Sequence, residues 1–121
     1  MKIERLQSAH CDGQSNIVRA RNYTDDKGNP AGGYCSGVGL CVHFQDGPRG
    51  KKDDGSLMGP NGAFVEDLIV AAIQRLEFFQ ESKFKHPSNA EAIKHCRAAI
   101  QSLANRAKER SERGVLGANE V

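Results

Sequence analysis

Two apolar series on either side of a short polar break constrain this chain more than any other feature. Val65, Leu68, Ala72, Leu76 and Phe79 step by threes and fours, and Ile69, Ile73 and Phe78 widen the stripe. Ile93, Cys96, Ile100, Leu103 and Ala107 step 3-4-3-4, the narrow seam of a helix packed along a partner. So short a link forces the two helices antiparallel. The first is expected to start after Pro60, with Asn61 as N-cap and Glu66 and Asp67 early, where the dipole favours acids. The second is expected to open on the capping box Ser88-x-x-Glu91 and to close at Gly114, behind Arg110 and Arg113. The first stripe is wide enough to need a second cover, from a sheet or from another subunit.

Upstream the chain is rich in glycine and turn residues. Met1–Leu6 reads as a strand. Ser15–Tyr23 is β-branched and bounded by Asp-Gly and Asp-Asp, and Lys27–Pro30 is turn chemistry. From Gly37 to Phe44 the pattern alternates, with Val38, Leu40, Val42 and Phe44 on one face until Asp46-Gly47-Pro48 stops it. No phosphate-loop pattern follows Gly37-x-Gly39, so these read as strand glycines. Lys51–Gly59 reads as a mobile polar loop. The expected fold is α+β: a small N-terminal antiparallel β-sheet (1–48), a loop (49–60), and a C-terminal antiparallel two-helix hairpin with an Arg/Gly-rich tail (61–121), together one structural unit.

With 121 residues and a net charge of +2, the chain is no polyelectrolyte that finds nucleic acid by bulk attraction. Its charge is local. From Phe84 to Gly114, Lys85, Lys94, Arg97, Arg106, Lys108, Arg110 and Arg113 face only Glu91, Glu109 and Glu112, which suits a small anionic partner. No run reaches the roughly 20 apolar residues of a membrane helix and no secretory leader is evident, so a cytoplasmic protein with free thiols is expected. His10-Cys11, Cys41-x-His43 and His95-Cys96 raise a zinc reading but lack the short regular spacing of structural sites. Small apolar core roles for Cys41 and Cys96 are plainer, and no metal is expected. No Ser-His-Asp, HExxH or paired-carboxylate motif argues for an enzyme.

Binding has a better case. Adjacent Phe78 and Phe79 point about 100° apart on a helix, so one is left for a base or a partner. Asn89 falls in the first turn of the second helix, where free N–H groups favour phosphate. Arg106, Arg110 and Arg113 share one helical edge and offer guanidinium forks; pairing with Glu109 and Glu112 is the plainer reading of that edge. The aromatic–Asn89 cluster and the arginines lie at opposite tips of the hairpin. They can meet across a symmetric dimer but not within one chain.

Five stretches occur in order: Phe44–Pro48, Asn61–Asp67, Arg75–Gln80, Asn89–Ala92, and Arg106-x3-Arg110-x2-Arg113-Gly114-Val115-x-Gly117. Over residues 44–121 the chain resembles the helical-hairpin family of phage anti-defence proteins, nucleotide "sponges" that counter Thoeris and CBASS immunity, and it looks most like the anti-Thoeris branch. The resemblance implies a dimer and a hexamer of three dimers in the infected host's cytoplasm. It implies a non-enzymatic binder, without cofactor, that sequesters cyclic ADP-ribose isomers made by TIR enzymes. It further implies that Phe79 stacks on adenine, Asn89 hydrogen-bonds the ligand and Arg106 grips it from the neighbouring subunit, beside Phe78, Arg110 and Arg113. Some members bind cyclic oligonucleotides at a second site. The family tail runs Arg-Gly-Val-x-Gly-Thr-His, whereas Ala118-Asn119 here lacks that hydroxyl. The alternatives are a sponge for cyclic di- or trinucleotides, an enzyme hydrolysing such signals, and a small RNA- or protein-binding module. Leu103→Asp is expected to unfold the hairpin or split the oligomer, read by circular dichroism and gel filtration; a folded, fully assembled variant would contradict the seam.

Overall fold

The computed structural model describes residues 3–7, 17–116, 118–119 and 121. The chain is α+β: a four-stranded antiparallel sheet precedes two helices. It divides into two compact units, the second being Phe64–Leu116; the described tail residues 118–119 and 121 group with the first.

The first unit is a meander of β1 (Glu4–Gln7), β2 (Ile17–Thr24), β3 (Pro30–Gly37) and β4 (Leu40–Phe44), paired in chain order. Its turns follow the local chemistry. Asp25 accepts from Asn29 N and Lys27 N, both at 2.9 Å, and from Asn29 Nδ2 at 3.1 Å. The Asn29 backbone bond, followed by the Asn29 side-chain bond, holds the Asp25 carboxyl below the ordinary aspartate range. β3 is a strand that the sequence reading passed over, because glycine at 32, 33 and 37 weakens intrinsic strand preference. Pairing on both sides overrides that preference.

Three further expectations are corrected. Val38 and Gly39 form the turn between β3 and β4, so Val38 is 84% exposed and does not share the strand face. Cys41 is exposed rather than core, being on the edge strand opposite Ser36. The 50–58 segment closes on itself through Lys52 N to Ser56 O (2.7 Å), Met58 N to Gly50 O (3.1 Å) and Arg49 Nε to Met58 O (2.6 Å).

Asn61 does not cap the first helix. It is held at the sheet: Asp46 N donates to Asn61 Oδ1, and Asn61 N donates to Gln45 Oε1, both at 2.8 Å. Ala63 then bridges Phe44 in parallel, with Ala63 N bonded to His43 O and Gln45 N to Ala63 O. Gly62 allows this approach, since a Cβ there would lie 2.6 Å from the Phe44 carbonyl carbon.

In the second unit α1 is Val65–Gln80 and α2 is Pro87–Glu112. Helix α1 begins three residues later than expected, capped at Phe64 rather than Asn61, where Asp67 reaches back to accept from Phe64 N at 2.8 Å, half of a capping box. Helix α2 begins at Pro87, the first-turn position proline favours. Its cap is His86, whose Nδ1 accepts from Ser88 N at 3.0 Å, and not Ser88. Glu91 instead faces His95, 3.1 Å away. At the far end Gly114 (φ 73°) donates to Ser111 O and Val115 donates to Arg110 O, both at 3.0 Å. That is a Schellman stop, which needs a residue free to adopt left-handed φ.

The α2 seam stands as read: Ile93, Cys96, Ile100, Leu103 and Ala107 are all half-buried. The α1 stripe stands in the main: Leu68, Ile69, Ile73, Leu76 and Phe79 are half-buried, joined by Glu66, Glu77 and Gln80, while Val65, Ala72 and Phe78 are exposed. The polar partners of Glu77 and Gln80 turn this face inward, Glu77 pairing with Arg97 of α2. Neither helix has a buried residue, and Ala20, 5% exposed, is the buried apolar residue among those described. Gly62→Ala should force the 44–63 bridge apart and cost about 1–3 kcal/mol, seen as a lowered urea midpoint with unchanged slope.

Candidate functional site

The link between α1 and α2 is an ordered, hydrogen-bonded turn. Gln80 Oε1 accepts from both His86 N and Asn89 Nδ2 at 2.9 Å. Asn89 Nδ2 also lies 3.3 Å from Phe84 O. Ser82 Oγ donates to Phe79 O at 2.6 Å and accepts from Phe84 N at 3.1 Å. The end of α1 and the start of α2 are thereby held as one piece, with Phe78, Phe79 and Asn89 upon it. The Asn89 amide nitrogen is committed to the turn, so its Oδ1 is the atom it has to offer.

The aromatic pair behaves as adjacent helical positions must. Phe78 is 52% exposed and Phe79 half-buried, their ring centroids 6.0 Å apart and edge to face. Phe78 is thus the more open ring. Arg75, one turn earlier, places its guanidinium 5.0 Å from each ring centroid, a cation–π position worth about 0.5–1 kcal/mol at an exposed site. The sequence reading missed Arg75 as a site residue, although its i, i+3 and i, i+4 spacing to Phe78 and Phe79 was the available signal. Arg75 has no carboxylate partner among the described residues. The turn end therefore joins two rings, an amide and a positive charge. Such a set can sandwich a flat heterocycle and attract an anion attached to it.

The three arginines at the other end have different fates. Arg113 pairs with Glu109, one turn back. Arg110 is half-buried and donates through Nη2 to Val115 O at 3.0 Å, tying down the tail. Arg106 is exposed, with no ion pair or hydrogen bond to another described residue. It lies seventeen residues beyond Asn89 in α2, about 25 Å at the helical rise. One chain therefore brings Phe78, Phe79, Asn89 and Arg75 together and leaves Arg106, Arg110 and Arg113 at the opposite tip. Gly117 of the tail motif lies outside the described residues.

The remaining chemistry-bearing groups fall elsewhere. A recess of about 480 Å³ in the first unit is lined by Asp25, Asp26, Lys27, Asn29 and Asn119; its two carboxylates oppose a phosphate ligand. His10 and Cys11 of the zinc reading lie outside the described residues, and among those described no three His, Cys, Asp or Glu side chains converge. Among the same residues no helix is long and apolar enough to cross a membrane.

No protein-family model matches the chain. Among curated proteins it is 42% identical over 79 residues to "Thoeris anti-defense 1" of Bacillus phage SBSphiJ7, a match covering 65% of this chain and 51% of the relative. The chain thus spans about half the length of the curated relative it matches. The resemblance to the anti-Thoeris proteins carried by the sequence motifs is borne out by that similarity. Replacing Gln80 with Ala should remove two hydrogen bonds of the turn and cost about 0.5–1.5 kcal/mol, with faster amide exchange at His86; unchanged exchange there would place the hold elsewhere.

Proposed function

We propose that this relative of the anti-Thoeris proteins is an anti-defence sponge, which binds a TIR-derived cyclic ADP-ribose signal and holds it without cleaving it. The observation that carries this reading is the division of the binding groups between the two tips of the hairpin. Phe78, Phe79, Asn89 and Arg75 supply ring faces and an amide at one end, and Arg106 supplies an unpaired guanidinium about 25 Å away. Cyclic ADP-ribose carries both kinds of partner, an adenine and a pyrophosphate, within a span far shorter than that. A second hairpin lying antiparallel to the first would carry its Arg106 to the rings of its neighbour, and both tips would then be used twice.

The surface of the hairpin supports such a pairing. Val65, Val70, Phe78 and Phe84 are each more than half exposed, and no helical residue is buried. Isolated short helices are marginal in water, so covering this apolar surface with another copy stabilises the fold while completing the site. The proposed partners are accordingly the cyclic nucleotide and further copies of the chain, a dimer and three dimers in a hexamer, in the host cytoplasm. Stacking plus a desolvated pyrophosphate contact would supply about 8–12 kcal/mol, micromolar to nanomolar affinity. Holding rather than hydrolysis fits the turn end, where the one histidine, His86, already spends Nδ1 on the helix cap.

The test is to mix the protein with a TIR-generated cyclic ADP-ribose product, filter, heat the retained protein and run the released material by HPLC. Intact ligand that vanishes from the filtrate and returns on heating is expected. Altered ligand would indicate an enzyme, and ligand left in the filtrate would favour cyclic oligonucleotides. Arg106→Ala should weaken retention by at least about 100-fold, the loss of a charge-assisted contact in a desolvated site, with an unchanged gel-filtration volume. Wild-type retention by that variant would overturn the pocket assignment.

A further inference from the structure

The outward face of the sheet carries chemistry that the hairpin site does not use. Register places Arg21 of β2 opposite Tyr34 of β3, and Tyr34 opposite His43 of β4. Directly opposed residues of antiparallel strands project to the same face. Arg19, two residues before Arg21, falls on that face as well, and the Arg21 guanidinium sits 5.3 Å over the Tyr23 ring. The Tyr34 and His43 rings are 6.4 Å apart. Arg19, Tyr23 and His43 are exposed, whereas Arg21 and Tyr34 are half-buried. The opposite face, with Val18, Ala20, Cys35, Val42 and Phe44, is apolar and carries the buried Ala20.

Cross-strand packing alone does not account for the outward face. Neither Arg19 nor Arg21 has an ion-pair partner among the described residues. Arg21 Nε is shut off from water with no hydrogen-bond acceptor. An atom closed to water is closed to a phosphate as well, so an outside acceptor has to be met by the terminal guanidinium nitrogens of Arg21 and by exposed Arg19. Two guanidiniums on alternate residues stand about 6.6–7 Å apart along the strand, and both favour phosphate.

We propose that this face of the sheet docks single-stranded nucleic acid, with backbone phosphates on Arg19 and Arg21 and bases stacked on Tyr23, Tyr34 and His43. The charge is complementary, and the open face selects the class of ligand. A small molecule needs a concavity that encloses most of its surface. A strand instead gathers affinity from successive shallow subsites, each a ring or a cation. Stacking also requires splayed bases, which a duplex does not present. This inference rests on the first unit alone and is independent of the ligand proposed for the hairpin.

The test uses fluorescence anisotropy of a labelled mixed-sequence single strand of about 12 nucleotides against the full chain. Binding is expected, and neutralising two phosphates predicts a loss of roughly sevenfold between about 50 and 200 mM salt. The double variant Arg19→Glu/Arg21→Glu should abolish binding, and Tyr34→Leu should weaken it at least about fivefold. Arg19→Glu alone, at an exposed position, should still weaken binding severalfold if the double variant folds poorly. Arg106→Ala should bind the strand as the unaltered chain does, which separates this surface from the hairpin site. Absence of binding at about 0.1 mM protein, equal affinity for the duplex, or binding undiminished in the Arg19 and Arg21 variants would overturn the proposal.

Discussion

The Gln80 side-chain carbonyl is the atom on which the second unit turns. By accepting from the backbone of His86 and the amide of Asn89, it joins the last residue of α1 to the cap and first turn of α2. The short link makes the helices antiparallel, and this bond fixes the end of α1 against the start of α2. Leu68, Ile69, Ile73, Leu76 and Phe79 are half-buried, whereas Val65, Ala72 and Phe78 are exposed. Adjacent Phe78 and Phe79 differ in exposure as neighbouring helical positions must, and Arg75 reaches both rings from one turn earlier.

Electrostatics sorts the arginines in a way that spacing does not. Arg106, Arg110 and Arg113 lie on one edge and look equivalent as residues. In the fold Arg113 has a glutamate one turn away, Arg110 has a carbonyl from the Schellman stop, and Arg106 has neither. A surface ion pair such as Arg113–Glu109 adds little stability, but it lowers the charge that Arg113 presents to an anion. Of the three arginines, Arg106 is the one left without such a partner among the described residues, and the proposed division of labour between two copies rests on that difference.

The sheet shows the opposite balance between local preference and context. Pro30–Gly37 contains three glycines and still forms a strand, since β2 and β4 satisfy its backbone on both sides. The small side chains let strands approach, while Tyr34 places its bulk on the outward face. A unit whose described residues include one buried apolar side chain depends on backbone pairing and on pinned loops such as Asn61 against Gln45 and Asp46. Its outward face is consequently free to carry cations and rings that contribute nothing to a core.

By itself the sequence determined the α+β order, the hairpin, the 3-4-3-4 seam of α2, the Gly114 stop and the separation of aromatic and arginine clusters. Each is a matter of period or of a single residue's backbone freedom, and both are local. The helix starts were misread because Asn61 and Ser88 are good caps by type, yet Asn61 is taken by a loop fifteen residues upstream and His86 caps first. The strand at 30–37, the exposure of Cys41 and the place of Arg75 between two rings were likewise decided only by tertiary structure. These depend on which neighbours compete for the same hydrogen bond or the same face, and that competition is settled between segments distant along the chain.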